Sequence, residues 1–224
     1  MPQAEPSIAE LNDLTPVKPG VKKEPQFAID TSGSMSWPAA EGRTTTRWEV
    51  ITEALGGLVA RLEGHDSQAA AEAAAGKDAG GVMTVTFASS VIDLEDLSTA
   101  NWRKKLSRVQ VGGGTVLTPA LRKLTDLYME EFGDTPDIDR PLQLTVVLTD
   151  GEASDLDDVV AWLSKLSSRT FVVFAVLGFG PDHDHALAAY RQVEANNKQM
   201  RVVTVGGSTN PDEIANALLS LIGE

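Results

Sequence analysis

Asp30-Thr31-Ser32-Gly33-Ser34 sets one carboxylate and two hydroxyls at alternate positions of one short stretch. A tight turn through Gly33 lets all three converge from the same loop. Oxygen donors in that arrangement suit a hard cation, since Mg²⁺ takes an octahedral oxygen shell at ~2.1 Å and keeps several waters. Two distant stretches can complete such a shell. Gly112-Gly113-Gly114-Thr115 offers a hydroxyl from a glycine-rich loop, and Thr149-Asp150-Gly151 offers a second carboxylate. Other polar clusters read more plainly. Glu152 and Asp155 suit the first turn of a helix, where acids complement the dipole. His183 and His185 suit an exposed helix start.

The elements that must hold these loops alternate along the chain. Phe27-Ala28-Ile29 is an apolar run ending at Asp30. Trp48, Ile51, Leu55, Leu58 and Leu62 recur at three- and four-residue intervals, the mark of an amphipathic helix. Val82 to Phe87 alternates β-favouring residues. Val91 to Leu94 follows too soon for a helical crossover, which predicts an antiparallel strand at a sheet edge. Trp102, Leu106 and Val109 suggest a short helix. Thr118-Pro119 reads as an N-cap with proline at the first helical position, opening a helix with Leu121, Leu124, Tyr128 and Phe132 on one face.

Leu142 to Leu148 is a strand ending at Thr149-Asp150. Ser154 with Asp157 resembles a capping box for a helix turning Val159, Val160, Leu163 and Leu166 inward. Phe171 to Leu177 is the most hydrophobic strand, which predicts the sheet centre. A helix with Leu187, Tyr190 and Val193, a strand from Arg201 to Val205, and a helix capped by Asn210-Pro211 with Glu213 complete the series. The reading is an α/β fold: a doubly wound Rossmann-like sheet, mostly parallel with one antiparallel edge strand, and helices on both faces. Ligands of such sheets sit at the carboxyl ends of the strands, where Asp30, Asp150 and the Gly178-Phe179-Gly180 turn all fall.

Asp-x-Ser-x-Ser, a distant glycine-rich loop ending in threonine, and a distant Thr-Asp-Gly together resemble the von Willebrand factor type A (VWA) domain with its metal-ion-dependent adhesion site. The resemblance covers about residues 26–222. It implies that Asp30, Ser32, Ser34, Thr115 and Asp150 match the five metal-coordinating positions, directly or through water. The implied metal is Mg²⁺, with Mn²⁺ or Ca²⁺ as alternatives. The implied ligand is the Asp or Glu carboxylate of a partner protein, so the domain binds and does not turn over. A metal-free VWA scaffold is the alternative. A haloacid-dehalogenase-type phosphatase is disfavoured because Ser32 stands where its second acid is needed. Nucleotide binding lacks either glycine-rich phosphate motif after the first strand.

The 224 residues carry 19 Lys+Arg against 32 Asp+Glu, a net charge of −13. Such acidity disfavours a grip on nucleic-acid phosphates or on an anionic membrane. No cysteine is present, which excludes disulfides, thiolate catalysis and Cys-ligated metals. No stretch reaches the ~18 apolar residues of a membrane span, and the N-terminus lacks the features of a secretory signal. The expectation is a cytoplasmic protein. Residues 1–25 hold five of the eleven prolines and read as an extended arm with a turn of helix near Ile8 to Leu11. Residues 26–224 form the domain, with 64–81 an Ala/Gly-rich loop insertion.

Overall fold

The structure, a computed structural model, describes residues 22–65, 81–179, 182–205 and 209–222. The expectations for the arm before Lys22, and for most of the 64–81 insertion, lie outside these residues. The strands are β1 (Lys23–Asp30), β2 (Val82–Phe87), β3 (Val91–Leu97), β4 (Leu142–Thr149), β5 (Thr170–Leu177) and β6 (Met200–Val205). The helices are α1 (Arg47–His65), α2 (Trp102–Leu106), α3 (Thr118–Phe132), α4 (Leu156–Leu163), α5 (Asp182–Glu194) and α6 (Pro211–Ile222). A short 3-10 turn, Gly33–Ser36, follows β1.

The six strands form one sheet in the order β3-β2-β1-β4-β5-β6. Only β2 and β3 run antiparallel, so the expected antiparallel edge strand is present. Alternation along the inner strands divides the core into two layers. Phe27, Ile29, Leu144, Val146, Leu148 and Val173 face α1 and α6; Ala28, Val147, Val172 and Phe174 face α3, α4 and α5. Both faces of the inner strands are therefore dry, as parallel sheets require.

Strand order reverses between β1 and β4: the chain leaves β1 toward β2 on one side and later returns to β4 on the other. A crevice opens at the carboxyl ends of strands at such a switch point. Asp30 ends β1 and Asp150 follows β4, so both acids stand at that crevice.

Several local expectations need correction. The sheet centre is β1 and β4, not β5. Hydrophobicity reports burial on both faces, which every inner strand shares. β1 starts at Lys23, inside the segment read as an arm, so Pro25 lies in a central strand. There it pairs only with β4, because pairing to β2 begins at Gln26 opposite Met83. A proline fits where one side of the strand has no ladder.

α2 stops at Leu106, short of Val109. Val160 is exposed, while Val159 and Leu163 carry the buried face of α4. Neither Thr118 nor Ser154 caps its own helix: Thr118 already lies in α3, and the Ser154 hydroxyl donates to the Thr115 carbonyl. A capping box not anticipated opens α1. The Thr46 amide donates to Glu49 Oε2 at 2.7 Å, and the Glu49 amide donates to Thr46 Oγ1 at 3.2 Å.

Candidate metal centre

Backbone contacts assemble the loops first. The Thr31 amide donates to the Phe87 carbonyl, which ties the loop after β1 to the end of β2. The Gly33 amide donates to the Gly113 carbonyl at 3.1 Å, and the Gly112 amide to the Thr31 carbonyl at 2.8 Å. The glycine-rich loop thus lies directly against Asp30-Thr31-Ser32-Gly33-Ser34. Gly113 takes φ 87°, and a Cβ there would sit 2.6 Å from the Ser89 hydroxyl oxygen. The positive φ favours glycine at that position, and a side chain there would also force the Ser89 hydroxyl to turn away.

Four of the five anticipated residues meet in one line of hydrogen bonds. The Ser32 amide donates to Asp30 Oδ1 at 2.7 Å. The Ser32 and Ser34 hydroxyl oxygens are 3.1 Å apart, and Ser34 donates to Asp150 Oδ1 at 2.8 Å. Asp30, Ser32 and Asp150 are buried, whereas Ser34 and Thr115 are half-buried. The line does not include the Thr115 hydroxyl. Thr115 is set between the two loops instead, since its carbonyl accepts the Ser154 amide at 2.8 Å.

Three residues that hold the site were not anticipated. Thr149 donates its hydroxyl to Asp30 Oδ2 at 2.6 Å and accepts the Gly151 amide at 3.2 Å. Tyr190 reaches from α5 to accept the Ala153 amide at 2.8 Å and donate to the Gly151 carbonyl at 3.1 Å. Arg47, the first residue of α1, donates from Nη1 to Asp150 Oδ2 at 2.5 Å, with both side chains buried. Only Thr149 had a local signal, its place beside Asp150. The other two depend on how α1 and α5 pack.

Glu152 and Asp155 turn away from the site oxygens. Glu152 pairs with exposed His185 at 2.8 Å. Asp155 accepts the amides of Leu117 and Thr118. His183 lies beside Asp184 at 3.1 Å.

Burial pushes the Asp30 carboxyl up to about 6, and the nearby Asp150 charge adds to that. The Thr149 and Ser32 hydrogen bonds oppose it. Ionising Asp30 therefore carries a desolvation cost that its hydrogen bonds only partly offset. Burial likewise pushes the Tyr190 hydroxyl up, which keeps it a neutral donor.

The donor set can be tested against a metal. Adjacent ligands of an octahedron with ~2.1 Å bonds lie ~3.0 Å apart. The Ser32–Ser34 and Ser34–Asp150 oxygen separations, 3.1 and 2.8 Å, bracket that value. Two carboxylates and three hydroxyls are hard oxygen donors that suit Mg²⁺ or Mn²⁺. Among the described residues, no group of three or more His, Cys, Asp or Glu side chains is arranged to hold a metal. Any cation here would therefore depend on the hydroxyls.

The von Willebrand factor type A domain model matches residues 26–216. The chain belongs to the von Willebrand factor type A family. Solved VWA-like structures share its fold at low identity. The SpRpn10 VWA domain is 12% identical with a TM-score of 0.57, over 88% of this chain and 94% of that one. An aerotolerance-related membrane protein from Bacteroides fragilis is 20% identical with a TM-score of 0.56, over 89% and 98%. Manganese-loaded TRAP protein from Plasmodium vivax is 18% identical with a TM-score of 0.54, over 90% and 72%. No curated protein matches the chain. VWA domains often mediate protein–protein interaction. Among the described residues of this VWA domain, no helix is long and apolar enough to cross a membrane.

Proposed function

We propose that this VWA domain is a divalent-cation-dependent protein-binding module. Asp30, Ser32, Ser34, Thr115 and Asp150 would hold Mg²⁺ or Mn²⁺, directly or through water. The observation that carries the reading is the spacing of the Ser32, Ser34 and Asp150 oxygens, which matches neighbouring ligands of a six-coordinate ion. A bound ion would supply a Lewis-acidic position open to an Asp or Glu carboxylate of a partner protein. The chain's residues do the rest. Thr149 and the Ser32 amide orient Asp30, and Ser34 aligns Asp150. The site binds without catalysing a reaction, in a cytoplasmic protein that engages neither nucleic acid nor membrane.

Calorimetric titration of Mg²⁺ and Mn²⁺ tests this reading. Saturable binding to one site is expected, with loss of that binding in Asp30→Ala. Equal binding by the two proteins would overturn the reading. With metal bound, a panel of acidic peptides should compete with a captured partner, and chelator should release it.

A further inference from the structure

Arg47 is in an unfavourable place for a cation. Its side chain is 5% exposed, so it has lost most of its water. It also opens α1, where the helix dipole repels positive charge. Its Nε is buried without a hydrogen-bond partner. The backbone leaves it little choice of position. The Arg47 amide donates to the Trp37 carbonyl at 3.0 Å, Pro38 bridges to Thr46, and the capping box fixes the start of the helix. The guanidinium lies over the rings of Trp37, at 5.2 Å, and Phe179, at 5.9 Å. The two aromatic faces and one full negative charge offset these costs, the charge being that of Asp150, itself 0% exposed along its side chain.

Asp150 is one of the two carboxylates the cation site needs. Its two oxygens are divided, Oδ1 to Ser34 and Oδ2 to Arg47. With Arg47 present, the buried charges of Asp30, Asp150 and Arg47 sum to −1 rather than −2. A divalent ion entering this site meets a carboxylate already neutralised and a fixed positive charge next to it.

We propose that Arg47 is a built-in counter-ion that competes with the divalent cation for Asp150, lowering metal affinity while holding the site assembled without metal. This inference rests on the divalent-cation reading above. It adds a residue that the VWA ligand set does not contain, and it assigns that residue an effect opposite in sign to a ligand's. Removing a ligand weakens metal binding. Removing Arg47 strengthens it, even though the fold loses a buried ion pair.

Calorimetry with Mg²⁺ and Mn²⁺ on the full chain, wild type against Arg47→Gln and Arg47→Lys, provides the test. Arg47→Gln is expected to bind metal at least about tenfold more tightly, because a contact charge inside a low-dielectric site is removed. Arg47→Lys, which keeps the charge, is expected to stay close to wild type. In chelator Arg47→Gln should melt below wild type, and metal should close that gap. A merely structural role predicts weaker metal binding together with the lower melting temperature. Equal or weaker binding by Arg47→Gln would overturn the inference and leave the cation reading intact. Binding by Arg47→Gln alone would support the inference. Binding by neither protein would overturn both.

A measurement on the wild-type fold covers the case in which Arg47→Gln does not fold. The Nε–H resonance of Arg47 in ¹⁵N-labelled protein, assigned by its absence in Arg47→Lys, should move on Mg²⁺ addition. The midpoint should match calorimetry. A resonance that stays fixed while metal saturates the site would overturn the competition.

Discussion

Asp155 accepts the backbone amides of Leu117 and Thr118, each at 2.8 Å, so the acid that precedes α4 caps the start of α3. The same turn binds the Thr115 carbonyl through the Ser154 amide and hydroxyl. The glycine-rich loop and the loop after β4 are thereby fixed to each other. Thr115 and Asp150 come from those two loops, so their separation is set by this clasp.

Asp155→Ala should release both α3 amides and lower stability by about 1–2 kcal/mol, the usual cost of a lost cap. Asp155→Asn keeps one acceptor oxygen and should lose less. Urea denaturation of the three proteins gives the order. Asp155→Ala as stable as wild type would show that water replaces the cap without loss.

Tyr190→Phe removes one oxygen and leaves the buried Ala153 amide without its partner, while the Gly151 carbonyl keeps the Thr149 hydroxyl at 2.9 Å. Leaving a buried donor unmade costs about 1–3 kcal/mol. The expected result is a lower urea midpoint, with faster amide exchange at Ala153 and little change in β2 or β3. Uniformly faster exchange across the sheet would mean that the hydroxyl supports the whole fold rather than this loop.

Glu24 gives a pH dependence of defined sign. Burial, then the charges of Glu131 and Asp96, pushes its carboxyl from 4.5 to about 7, while Lys22 pulls it down. The folded chain therefore holds this proton more tightly than the unfolded chain does. Its stabilising contribution is complete below about pH 4.5 and is lost as pH rises to about 7. Glu24→Gln should exceed wild type in stability above pH 7 by on the order of 2 kcal/mol, after allowance for partial exposure. The difference should shrink toward pH 4.5. Asp30 shifts in the same direction but is common to both proteins, so it cancels. A difference independent of pH would refute the assignment.

Much of this protein was legible in its sequence because the signals were local or periodic. Apolar alternation marked β2, and three- and four-residue spacing marked α1. The short gap between Phe87 and Val91 required an antiparallel turn. Asp30, Ser32 and Ser34 share one loop, so their convergence needed only Gly33 and a strand end. Other features had no local signature. Pro25 is admitted to a central strand because β2 starts pairing one residue later. β5 is the most hydrophobic strand, yet it is displaced from the centre by the crossover order.

The residue types and their order along the chain determined an alternating α/β fold and a set of oxygen donors at its strand ends. Tertiary structure alone decided the charge those donors face. Arg47 and Asp150 are 103 residues apart, and Thr149 and Asp30 are 119 apart. Neither spacing carries a periodicity that could have revealed the pair. They meet because α1 packs across the sheet and because β1 lies beside β4. Electrostatic interaction inside a dry crevice depends on distance through space, which only the completed packing sets.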